Sequence, residues 1–221
     1  MKTIVITSQK GGSGKTTLAA NLAIEAGRAG DGPAWLIDTD KQGTLSKWHE
    51  RRDDQTPHTP ERGDLLFHEL ETGLANIAAK HGGAFTFIDT APAISDQTEK
   101  IIERADLVLI PVQPSPADLW AAGDTVALVT KARKPFLFVM TKVKTHANIT
   151  AQTIAALSHS GPVAQAFIAD RVAYAAALTG GNTAPELAPR GPAAAEIASL
   201  WREVKSCFNE KLKSAKKVKN G

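Results

Sequence analysis

Short apolar runs alternate with amphipathic stretches along most of this chain. Thr3–Thr7, Ala34–Asp38, Phe85–Asp89, Leu107–Val112 and Phe136–Thr141 are rich in β-branched and large apolar residues, and each predicts a strand. Between them, Thr16–Ala29, Thr44–Arg52, Leu66–Lys80, Asp96–Arg104, Ala117–Thr130 and Ile149–Ser158 carry apolar residues at helical spacing. Asp53–Gly63 holds prolines among polar residues and reads as a loop. From Pro192 to about Lys216 the spacing of Ile197, Leu200, Trp201, Val204, Phe208 and Leu212 predicts one long helix with a single apolar stripe. Near-continuous apolar strands such as Phe136–Met140 suit a sheet covered on both faces. Strands alternating with helices then predict an α/β fold, a doubly wound, mostly parallel sheet flanked by helices with right-handed crossovers.

Composition narrows this picture without changing it. A length of 221 residues suits one domain with a full core, 1–221, ending in a Lys-rich helix and tail at about 192–221. Apolar residues make up 43% and charged residues 22%, as in ordinary globular proteins. The single cysteine, Cys207, excludes an internal disulfide and a cysteine-built cluster within one chain, and reads as a small buried helix residue. The apolar run Ile4–Ile6 is too short for a signal or spanning segment, so a cytoplasmic protein is expected. The net charge of +3 is mild, but Lys205, Lys211, Lys213, Lys216, Lys217 and Lys219 crowd the C-terminal end, against Glu210. Such an end can meet a polyanion or simply be solvated.

The clearest chemistry lies between the first strand and the first helix. In Lys10-Gly11-Gly12-Ser13-Gly14-Lys15-Thr16-Thr17 the glycines let successive backbone N–H groups converge on an anion. The helix that follows adds its positive N-terminal end. Lys15 is placed to reach β- and γ-phosphate oxygens, and the Thr16 hydroxyl to ligate Mg²⁺, a hard ion that prefers oxygen. The P-loop pattern G-x-x-x-x-G-K-[ST] is not met in full, because Gln9 stands at its first glycine. Two further strands end in acids. Ala34–Asp38 leads into Asp38-Thr39-Asp40, and Phe85–Ile88 into Asp89-Thr90-Ala91-Pro92. Acids at the carboxyl end of parallel strands face the crevice where ligands bind.

The lysine before the glycines is where the sequence resembles the ParA/MinD family of deviant-Walker P-loop ATPases, whose motif is K-G-G-x-G-K-[ST]. The resemblance implies a P-loop NTPase fold, ATP and Mg²⁺ as ligands, and a homodimer in which two chains sandwich two ATP molecules. Lys10 matches the signature lysine that reaches the partner's nucleotide. Asp38, Asp40 and Gln42 match the family's D-x-D-P-Q, with Lys41 in place of proline. By resemblance Asp40 helps position the attacking water, Asp38 supports the magnesium site, and Asp89 holds Mg²⁺ through water. Lys10, Lys15 and Asp40 are thus the expected catalytic set. The likeness continues through Leu109–Ser115, Arg171–Tyr174, Gly180, Glu186 and Ala194–Ile197. Where the family often has an asparagine that reads the purine, this chain has Thr141, followed by Lys142.

The resemblance implies a positioning protein that dimerises on ATP and binds DNA without sequence preference. A ParB-like or cargo adaptor partner would stimulate hydrolysis, and the protein would be nucleoid-associated. The candidate DNA contacts are Lys205, Lys211, Lys213, Lys216 and Lys217. No N-terminal helix-turn-helix precedes the first strand, so operator reading is not expected. Two other classes compete. A MinD-type membrane regulator would need the C-terminal stripe free to enter lipid. A metabolic ligase or synthetase relative would turn over a small acid. The terminal Lys216-Lys217-Val218-Lys219-Asn220-Gly221 lacks an apolar face, which argues against the membrane.

Overall fold

The computed structural model describes residues 1–52, 56–65, 67–81, 85–144 and 148–219, with positions 67, 81 and 209–219 as backbone only. Six strands form one all-parallel sheet: β1 (Lys2–Ile6), β2 (Ala34–Asp38), β3 (Glu61–Arg62), β4 (Phe85–Asp89), β5 (Leu107–Val112) and β6 (Phe136–Met140), in the order β3-β2-β4-β1-β5-β6. The expected doubly wound sheet is therefore present. In its register Ile6 and Asp38 both lie beside Asp89, so three strands end on one rung. Both acid-terminated strands deliver their carboxylates to the same edge of the sheet as the end of β1.

The period of two along each strand divides the core in two. Ile4, Ile6, Leu36, Phe87, Leu109 and Val139 face a layer made by helices α1 (Lys15–Arg28), α2 (Thr44–His49) and the C-terminal helix. Val5, Ile37, Ile88, Val108, Ile110 and Phe138 face the opposite layer. That layer holds α3 (Leu70–His81), α4 (Asp96–Ile102), α5 (Pro116–Lys131) and α6 (Asn148–Ser158). Both faces are buried, which is why the strands carry apolar residues at successive positions. Helices α4 and α5 start at Ser95 and Ser115, whose hydroxyls accept from Thr98 N–H and Asp118 N–H.

The chain closes with α7 (Val172–Thr179), α8 (Ala184–Leu187) and α9 (Pro192–Lys219). The α9 stripe is core: Ile197, Leu200, Trp201, Val204 and Phe208 are buried. The Trp201 ring meets Phe85 edge-on at 4.8 Å. Removing such a buried indole would cost roughly 3–5 kcal/mol. Leu212, the last expected member of the stripe, lies outside the described side chains. Cys207 is half-buried against this layer. Among the described residues no helix is long and apolar enough to cross a membrane.

Three expectations need adjustment. The stretch read as a loop from Asp53 contains β3, two residues that extend the sheet's edge beside Trp35 and Leu36. Helix α2 stops at His49 rather than Arg52, because Arg51 and Arg52 turn out of it toward the α8 region. There the Arg52 guanidinium grips both carboxylate oxygens of Glu186, at 2.6 and 3.1 Å, and the Gly181 carbonyl at 2.8 Å. Helices α7 and α8 carry no apolar stripe that periodicity could have found.

Candidate nucleotide site

The loop Gly11–Gly14 joins β1 to α1 at the carboxyl edge of the sheet. Gly12 and Gly14 have φ of +72° and +102°, values that side chains rarely tolerate. Gly14 is the N-cap of α1 and brings no side chain to the helix end, and the first turn of α1 contains no acid. Its N–H groups and positive pole are thus left for an external anion. The Thr141 hydroxyl donates to Ser13 O at 2.7 Å, pinning the loop from the end of β6.

Lys15 is buried, at 7% exposure, and its ammonium donates to the carbonyls of Ser8 and Lys10 at 3.2 Å each. Burial lowers its pKa, while Asp89 and Asp40 oppose that shift. The cation is held at the loop by carbonyls rather than by an ion-pair partner, which leaves its charge available to phosphate.

The Thr16 hydroxyl donates to Asp89 Oδ2 at 2.6 Å. Asp89 is 1% exposed, and its other oxygen, Oδ1, is buried with no hydrogen-bond partner among the described residues. Burial foremost pushes its pKa up to about 7; Thr16 and Lys15 pull it down, and Asp38 and Asp40 push it further up. A buried carboxylate with an open oxygen beside a hydroxyl fits Mg²⁺. The described residues contain no group of three His, Cys, Asp or Glu side chains able to cage a metal.

The other two acids divide differently. Asp38 accepts from the N–H groups of Asp40 and Ser46, at 3.1 and 2.9 Å, and so shapes the turn from β2 into α2. Asp40 accepts from Gln42 N–H at 3.0 Å and lines the cleft. Thr39 ties this turn to β4, donating through both N–H and hydroxyl to Asp89 O. Lys10 pairs with Asp118 of α5 within its own chain. Asp118 also receives the Ser115 hydroxyl, and Gln113 Nε2 donates to Gly12 O at 2.7 Å.

From the phosphate loop a cleft of about 780 Å³ runs toward Thr141, Lys142 and the stretch Ile168–Tyr174. That volume suits a nucleoside triphosphate. Gly11–Thr17 and Asp40 lie in its wall. Lys10 and Asp89 stand beside that wall through their contacts with Lys15 and Thr16. Thr141 and Lys142 stand where resemblance puts the purine position, and Arg171–Tyr174 and Gln113 lie in stretches that match the family, but their places at the cleft, and that of Asp118 beside the loop, depend on contacts distant in the chain. The C-terminal lysines lie elsewhere. Lys205 is ion-paired with Asp31 at 2.7 Å, and Lys211, Lys213, Lys216 and Lys217 lie outside the described side chains.

The family profile of the CobQ/CobB/MinD/ParA nucleotide binding domain matches residues 4–184. This chain belongs to the CobQ/CobB/MinD/ParA family. Among its ParA/MinD relatives, maintenance of carboxysome distribution protein A of Halothiobacillus neapolitanus is 31% identical over 215 residues, spanning 91% of this chain and 95% of that protein. Protein ParA of Rhizobium radiobacter is 25% identical over 210 residues, spanning 89% and 91%. The solved structure of the septum site-determining protein MinD complexed with Mg-ADP, from Pyrococcus horikoshii, superposes with a TM-score of 0.77 at 17% identity, covering 95% of this chain and 98% of that one. At that identity the likeness shows the fold.

Proposed function

We propose that this chain is a ParA-type ATPase that dimerises on Mg-ATP, binds DNA without sequence preference and positions a macromolecular cargo, with an adaptor partner that stimulates hydrolysis. The observation that carries the reading is the cleft closed at one end by the phosphate loop, with Lys15 and the Thr16–Asp89 pair at its base. The 31% likeness to a carboxysome distribution protein across nearly the whole chain supports a positioning role. The cargo is a plasmid, a chromosome region or a protein assembly.

In this reading the phosphates lie on the N–H groups of Gly11–Thr16, and Lys15 turns from the Ser8 and Lys10 carbonyls onto the β- and γ-oxygens. Thr16 and Asp89 hold Mg²⁺, with Asp38 fixing the turn nearby. The bound ion neutralises phosphate charge. Asp40, in the cleft wall, orients the attacking water. Lys10 exchanges Asp118 for the partner chain's nucleotide and stabilises the charge that develops on the transferring phosphoryl group, as an arginine finger does. Burial of the α9 stripe up to Phe208 favours DNA over membrane as the polyanion, because the face that would enter lipid is core.

The test is size-exclusion chromatography with and without Mg-ATP, repeated with Asp40→Ala, beside anisotropy with duplex DNA. Dimerisation on ATP, its persistence in Asp40→Ala, and DNA binding with ATP but not ADP are expected. A chain that stays monomeric with ATP, or that binds DNA equally with ADP, would overturn the reading.

A further inference from the structure

Glu196, on the second turn of α9, holds three residues of the far wall of the cleft through one carboxylate. Its Oε1 accepts from Arg171 Nε at 2.8 Å and stands 2.7 Å from Nη2. Its Oε2 accepts from the Tyr174 hydroxyl at 2.7 Å and from Ala169 N–H at 3.2 Å. All three partners line the cleft at the end remote from the phosphate loop. The opposite edge of this segment is fastened to the end of β6. Ile168 N–H donates to Met140 O at 2.9 Å, and Asp170 N–H to Val143 O at 2.9 Å.

The geometry points to Glu196 as a positioning residue for the nucleoside half of the ligand, an assignment that rests on the nucleotide reading above. A ligand with its phosphates on Gly11–Thr16 extends its base toward this wall. The wall is a short irregular segment followed by a helix poor in large side chains, Val172–Thr179. On the β6 side, backbone hydrogen bonds fix it. On the other side the Tyr174 hydroxyl also stands 3.2 Å from Ala193 O, but the charge-assisted bonds, the strong kind, all go to the Glu196 carboxylate, at 14% exposure. Glu196 touches neither phosphate nor the magnesium site and acts through Ala169, Arg171 and Tyr174.

This role makes a separation that general destabilisation cannot. Inorganic tripolyphosphate occupies only the loop end of the cleft, whereas a nucleotide needs both ends. Calorimetry on the full chain would compare a non-hydrolysable Mg-ATP analogue with Mg-tripolyphosphate, in wild type, Glu196→Ala and Glu196→Gln. With the wall loosened, Glu196→Ala is expected to weaken the analogue by about tenfold, the loss of one to two net hydrogen bonds. Tripolyphosphate affinity should stay within about twofold. Glu196→Gln keeps acceptors but not the charge, so a smaller loss confined to the analogue is expected, and it carries the test alone if the alanine variant does not fold. Equal loss for both ligands, or no loss for either, would overturn the assignment of Glu196 while leaving the nucleotide reading intact. A wild-type chain that binds neither ligand would overturn both.

Discussion

Lys10 and Asp118, 108 residues apart in sequence, are ion-paired beside the phosphate loop. The carboxylate is almost fully enclosed, at 2% exposure, and also receives the Ser115 hydroxyl and the Gln113 N–H. A lysine held in this way is not free to enter a neighbouring chain. Asp118→Asn keeps the shape and weakens the hold on the cation. The expected outcome is a several-fold tighter ATP-dependent dimer, read by sedimentation over a range of protein concentrations. Unchanged or weaker dimerisation would show that the pair has no bearing on association.

Lys15→Ala should lower affinity for Mg-ATP by at least about a hundredfold. The buried ammonium is the principal cation at the loop, and charge-assisted bonds to phosphate exceed neutral ones about twofold in strength. Calorimetry with a non-hydrolysable analogue measures it. Wild-type affinity in this variant would remove the phosphate-loop assignment.

Asp89 supplies a pH dependence with a definite sign. Its folded pKa, raised by burial to about 7 from an ordinary 3.8, means that the fold favours the neutral acid. The penalty for ionising it is absent below the unfolded pKa and grows as pH rises. Above pH 7 it is complete, amounting to up to roughly 4 kcal/mol. Asp89→Asn should therefore melt close to wild type at pH 4 and increasingly above it toward pH 8, in protein free of nucleotide and magnesium. Magnesium binding in wild type should weaken below pH 7, where the carboxyl holds its proton. Melting curves that stay parallel from pH 4 to 8 would contradict the shift.

For DNA, each phosphate neutralised contributes a log–log salt slope of about −0.9, so a dimer meeting several phosphates should lose roughly a hundredfold over a fourfold rise in salt. Changing Lys211, Lys213, Lys216 and Lys217 together to Ala should weaken binding alike on unrelated duplexes and flatten that slope. Lys205 is left out because Asp31 holds it, assisted by the Trp201 N–H on the same carboxylate. Anisotropy on two duplexes at several salt concentrations is the measurement. A slope unchanged in the quadruple variant would move the DNA contact to another surface.

The strands β2, β4 and β5 were legible to the residue, because each is an apolar run closed by a charged or turn-forming residue. The phosphate loop was legible for a similar reason, since its chemistry is local. Edge strand β3 was not, because Glu61 and Arg62 carry no apolar pattern and are ordered by pairing with β2. The contacts that build the far wall of the cleft were also hidden, although resemblance pointed to Thr141 and Lys142. Thr141 shows nothing of its bond to Ser13, and Glu196 on an Ala-rich helix shows nothing of Arg171 or Tyr174 until the chain has folded. What periodicity conveys is which face is apolar; which distant polar groups meet is decided by how the layers stack.

The place of β1 in the sheet has a consequence for synthesis. This strand is made before both of its neighbours, Phe85–Asp89 and Leu107–Val112. Until those have left the ribosome, the apolar run Thr3–Ile6 has neither edge satisfied, and it must wait through most of half the chain. Parallel pairing of this reach closes slowly, and unpaired strands are exposed to association with other chains meanwhile. The segment that leads into the phosphate loop is thus made well before the two strands that enclose it.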